Sequence, residues 1–123
     1  MNLKQFIFIN LAILILVLCF SGCQTKKDMY SWGSFETQMY EHLNGLSPSV
    51  QIQALERDRR QIEASGIPAP PGFYAHLGFL HSEIGDDVSA IFYFETEKAN
   101  FPEAAHFMDF LLGRYGIGEL NDA

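Results

Sequence analysis

Two kinds of side chain in this 123-residue sequence are equipped for chemistry: a thiol near the N-terminus and four dispersed imidazoles. Cys23 stands at the end of an apolar run, in "LCFSGCQTKK". A cysteine in that setting is half of a disulfide, a core residue, a reactive thiol or a point of modification. The only other cysteine, Cys19, lies inside the apolar run, and none follows Cys23. The chain beyond it therefore has no disulfide, no thiolate metal site and no thiol nucleophile, and must be held by an ordinary core. Among the imidazoles, His76 and His81 fall on different faces of a helix, while His106 and Asp109 share one. Neither spacing matches a metal-binding H-E-x-x-H. No metal or cofactor is expected. There is no G-x-S-x-G elbow, no glycine-rich phosphate loop and no isolated carboxylate pair, so no enzyme is expected. Glu95 and Glu97 read as charge on a helix surface.

The elements that would position these groups are helical. Residues 6–20 are apolar except for Asn10 and follow Lys4, which matches a secretory signal and is short for a membrane span. An ordinary signal peptide and an uncleaved anchor are the alternatives to a modified Cys23. Phe35, Met39 or Tyr40, and Leu43 recur at helical spacing after a possible Ser34 cap, and Asn44-Gly45 stops the helix. Pro48 to Ser65 forms a second helix, with Ile52, Leu55, Arg59 and Ile62 on one side and Gly66 at its end. Pro68, Pro70 and Pro71 impose an extended link. A third helix follows, with Tyr74, Leu77, Leu80, His81 and Ile84 on one face. Gly85 ends it, and Asp86 or Asp87 caps a fourth helix with Val88, Ala90, Ile91 and Phe94 inside. Pro102 opens the last helix, with Ala105, Met108, Leu111 and Leu112 inward and Gly116 and Gly118 closing it. No strand pattern stands out. The fold class expected is all-α, a short stack of helical hairpins with a C-terminal capping helix.

Phe20-Ser21-Gly22-Cys23 resembles the bacterial lipobox, with Phe20 where leucine is usual. The resemblance implies cleavage before Cys23, acylation there, and anchoring by more than one chain, which holds a protein stably where one chain does not. Gln24 in place of aspartate implies sorting to the outer membrane, facing the periplasm. Residues 1–22 are then the signal, 23–33 a lipidated tether and 34–123 the helical domain. Loss of Lys4 takes the net charge from −7 to −8. An acidic domain repels phosphate backbones, so no nucleic-acid partner is expected.

A window of about 34 residues begun at Pro71 resembles the tetratricopeptide repeat. Tyr74, Leu77, Gly78, Ala90, Phe94 and Pro102 fall on its packing positions, whereas His81 and Glu97 depart from it. Gly78 and Ala90 would let two helices approach closely. Residues 71–104 thus read as one repeat, 34–66 as a degenerate hairpin placing Tyr40, Leu43 and Pro68 in register, and 105–123 as cap and tail. In that pattern the concave face maps to Ala75, Phe79, Ser82 and Glu83, with His106, Asp109 and Phe110 on the last helix. These seven are the candidate partner-binding groove. Trp32 is either an interface anchor or a staple for the first helix of the domain.

The lipobox, "YSWGSFETQMYEHL", "PPGFYAHLGFL" and "EKANFPEAAHFMDFLL" together resemble a family of small Gram-negative lipoproteins with a domain of unknown function. Members of that family are commonly encoded beside a lipoprotein resembling the curli secretion channel. The resemblance implies a protein partner in the cell envelope, with a channel-like lipoprotein as one candidate, and defines no activity; the groove and the lipid together give the expected role of a lipid-anchored adaptor. The alternative is a small-ligand or catalytic domain acting on peptidoglycan.

Overall fold

The computed structural model describes residues 1–19 and 28–117. Cys23, Gly118 and the acidic tail lie outside the described residues. Helix α1 (Leu3–Cys19) is followed, within the described residues, by α2 (Phe35–Leu43), α3 (Pro48–Ser65), α4 (Phe73–Glu83) and α5 (Asp87–Asn100). A 3₁₀ turn (Pro102–Ala104) then leads into α6 (Ala105–Gly113). The described residues are all helix and connection, with no strand. No described helix is long and apolar enough to cross a membrane.

Two helical hairpins are built on the same turn. Gly45 and Gly85 both have positive φ, 84° and 76°. That conformation is cheap only without a Cβ. It lets the amides of Leu46 and Asp86 reach back to the carbonyls of Glu41 and His81, at 3.0 and 2.9 Å. Each leading helix thereby ends in a Schellman motif and hands the chain to its partner.

The starts of the leading helices are capped from a distance. Ser34 is the N-cap of α2, but its own side chain caps nothing. Instead its N–H and Oγ both donate to Asp58 of α3, at 2.7 and 2.6 Å. The N–H groups of Gly72 and Ala75 donate to Glu97 of α5, at 2.6 and 3.3 Å. In both hairpins a carboxylate on the second helix closes the orphan donors of the first. The two donor–acceptor pairs are 24 and 25 positions apart in the chain. Phe35 and Phe73, which open the two leading helices, are further apart than a repeat of about 34 residues, because α3 is the longer second helix. The local cap is at α5, where Asp86 accepts from the Ser89 N–H at 3.1 Å.

Two apolar cores result. Phe35, Leu55, Ile62, Ala69, Phe73, Leu77, Leu80 and Tyr93 form the first, between α2, α3, α4 and α5. Ala90, Phe94, Met108 and Leu112 form the second, between α5 and α6, with Ala75 and Leu111 at its margin. Gly78 lies at the α4–α5 crossing. A Cβ there would meet the Phe94 ring at 2.7 Å and the Ala90 carbonyl oxygen at 3.1 Å.

Several inward assignments made from periodicity do not hold. Met39, Leu43, Ile84 and Val88 are exposed. Helix α2 buries only Phe35, at its first turn, and Val88 sits in the first turn of α5 where nothing covers it. Conversely, two polar residues are fully enclosed: Gln51 is 0% exposed and Glu97 is 2% exposed. Glu97 is therefore not surface charge, because it turns inward to serve the amides that open α4.

Candidate functional site

Gln51 organises the interface of α2, α3 and α4. Its Nε2 donates to the Leu46 carbonyl at 2.7 Å and lies 3.2 Å from His42 Nδ1. Its Oε1 lies 3.3 Å from His76 Nε2. All of these contacts are satisfied when His76 is neutral and donates from Nε2 while His42 accepts at Nδ1. The two rings meet edge to face with centroids 5.4 Å apart. Burial, reinforced by the neighbouring His42, lowers the pKa of His76 to about 4. The arrangement holds three helices together.

A second polar chain joins α3 to α5. Tyr93 donates its hydroxyl to Glu56, which also accepts from Arg59 Nε at 2.9 Å, and Arg59 Nη1 reaches Glu63 at 2.6 Å. Burial pushes the Glu56 carboxyl up, but the bonds from Tyr93 and Arg59 outweigh it and its pKa is lowered. Beside this chain, His81 Nδ1 lies 3.0 Å from Asp86, and His81 Nε2 is buried without a partner among the described residues. No group of three or more possible metal ligands occurs among the described residues.

The seven residues of the expected groove separate into different environments. Ala75 packs at the margin of the second core. Phe79, 43% exposed, sits edge to face with His42 at 5.5 Å. Glu83 is near that pair, 4.0 Å from His42 Nδ1, and Ser82 is half-buried. On α6, His106 is exposed, Asp109 pairs with Lys98 of α5, and Phe110, 69% exposed, stacks on Phe107 with centroids 6.5 Å apart. The structure thus brings Phe79, Glu83 and His42 together, and Phe110, Phe107 and Asp109 together. Among the described residues, no aromatic contact joins Phe79 to Phe110. Of the repeat-packing set, Leu77, Gly78, Ala90 and Phe94 are buried, Tyr74 is half-buried, and Pro102 is exposed at the start of the 3₁₀ turn. Trp32 stacks on Phe35 at 6.3 Å.

A well-formed recess lies elsewhere. A cleft of about 440 Å³ opens between the extended link after α3, the entry to the domain and the end of α5. Ile62, Ala69 and Phe101 form its buried floor, Tyr30 and Tyr74 its aromatic walls, and Glu63 its charge. The Ser31 N–H donates to the Pro68 carbonyl at 2.8 Å, which fixes the entry segment against the link. Periodicity could not locate this cleft, because its lining joins residues of α3, α4 and α5 to irregular segments distant in the sequence. The prolines at 68 and 70, followed by Phe73 and Tyr74, are its sequence signal.

A family described as a domain of unknown function, DUF4810, matches residues 29–111. No curated protein and no solved structure matches the chain.

Proposed function

Because the chain belongs to the DUF4810 family, whose description assigns no activity, we propose its function from its surface: a lipid-anchored cell-envelope adaptor that binds a protein partner. The observation that carries this reading is the exposure of Phe79, Phe107 and Phe110 on an acidic helical domain. Aromatic side chains cost little conformational entropy on docking and are enriched at interface hot spots. The Glu56–Arg59–Glu63–Tyr93 and Gln51–His42–His76 groups are engaged with one another, which supports binding over turnover. The lipobox at Cys23 supports anchoring by acylation, and Gln24 supports an outer-membrane, periplasm-facing location. Resemblance of the chain's segments to envelope lipoproteins, and of its Pro71 window to a tetratricopeptide repeat, supports a channel-like lipoprotein as the partner.

The test is crosslinking in intact envelopes followed by mass spectrometry, with the wild-type chain, Phe79→Ala and Phe110→Ala side by side. One defined envelope protein is expected with the wild-type chain, in reduced yield with either variant. Equal recovery from all three would refute the docking surface, and an unacylated Cys23 in the intact mass would refute the anchor.

A further inference from the structure

The cleft beside the link combines features that together specify an occupant. Among the described residues lining it, Glu63 is the one charged side chain. Arg59 holds Glu63 Oε1 at 2.6 Å, and Glu63 Oε2 has no hydrogen-bond partner among the described residues. The adjoining recess, which shares Gly66, Ile67 and Pro68, adds Asp28 among the described residues. Glu56 and Glu63 share the single Arg59 guanidinium, which leaves this group one negative charge in excess, and with Asp28 nearby the described lining favours a cation over an anion.

The backbone of the link supplies directional groups. Residues preceding proline are confined to extended conformations, which covers Ile67 and Ala69. The Pro68 carbonyl is taken by Ser31 and the Ile67 N–H by Ser65 Oγ, at 3.1 Å. The Ile67 carbonyl and the Ala69 N–H have no partner among the described residues, although Ala69 is buried and lines the cleft. Both groups belong to residues lining the cleft, where a ligand's main chain could meet them. Tyr30, Tyr74 and Phe101 provide the aromatic faces on which the stem of a lysine or arginine rests while its head meets a carboxylate.

We propose that this cleft docks an extended basic peptide segment of a partner protein, with its main chain bonded to Ile67 and Ala69 and a lysine or arginine head at Glu63. This deepens the adaptor reading by giving the chemistry of one docking segment. It depends on neither the Phe79–Phe110 surface nor the lipid, so the two tests fail separately.

The experiment is an NMR titration of the full chain in nonionic detergent with acetyl-Ala-Lys-Val-Lys-Ala-amide and with its Lys→Gln counterpart. The expected result is saturable shifts centred on the Ile67 and Ala69 amides with the lysine peptide. Glu63→Gln, confirmed folded by its unshifted core amides, should weaken the lysine peptide by about fivefold and leave the glutamine peptide unchanged. No saturation to millimolar peptide, shifts centred elsewhere, or equal effects of Glu63→Gln on both peptides would overturn the proposal. Concentration-dependent shifts of the same amides without peptide would place a second copy in the cleft and also overturn it.

Discussion

The Glu97 carboxylate accepts a 2.6 Å hydrogen bond from the Gly72 N–H, so the last turn of α5 caps the first turn of α4. The cap is made across the hairpin rather than along the chain. Burial raises the Glu97 pKa, and the amides of Gly72, Ala75 and Tyr74 partly offset that by favouring the charged form. Asp58 and Ser34 repeat the relationship in the first hairpin.

Removing that acceptor should strand buried donors. Glu97→Ala is expected to lose about 2–3 kcal/mol of stability. Glu97→Gln keeps one acceptor and should lose about 1 kcal/mol. Urea unfolding gives the magnitudes, and faster hydrogen exchange at the Gly72 amide locates the effect. Equal stability of all three proteins would show that the cap is dispensable.

The His76 network makes stability depend on pH. Its folded pKa of about 4 lies below the ordinary value of 6.5, so the unfolded chain binds the proton more tightly. The contribution is intact above pH 6.5 and is lost as pH falls toward 4. Discounted for partial exposure, the loss is about 1–2 kcal/mol. Glu97, with its raised pKa, works in the opposite direction, so the comparison must isolate the histidine. His76→Gln should flatten the pH dependence of the urea midpoint between pH 6.5 and 4, and an unchanged slope would contradict the assignment.

Gly78 should resist even a methyl group. Alanine favours a helix over glycine by about 1 kcal/mol, but its Cβ would press on the buried Phe94 ring and the Ala90 carbonyl, which costs about 1–3 kcal/mol. Gly78→Ala is expected to be destabilised by about 1 kcal/mol and Gly78→Val by more. A rise in thermal midpoint on Gly78→Ala would show that the helices can separate freely.

Tyr93 links α5 to α3 through Glu56. Tyr93→Phe should cost about 1–2 kcal/mol, as for a hydrogen bond to a charged group. With one of the bonds holding it down removed, the Glu56 carboxyl should titrate higher. An NMR titration of the Glu56 side chain reads this directly, and no upward movement would argue that Arg59 alone holds the carboxylate.

Helix existence and ends were legible in the sequence because their causes are local. Pro48 and Gly66 bound α3 as expected, Asn44-Gly45 stops α2, and Asp86 caps α5. The all-helical class follows from the same signals. Periodicity also found Leu55, Ile62, Leu77, Ala90 and Phe94, because a buried stripe repeats at the helical period. Sequence spacing did not reveal that Glu97 and Gln51 are enclosed or that Leu43 and Val88 are bare. Those outcomes depend on which helix lies opposite and which amides lack partners, and such groups meet only across the hairpins. The cleft is of the same kind: Tyr30, Glu63, Ala69 and Phe101 come from separate segments, and only tertiary packing decided that they share a wall.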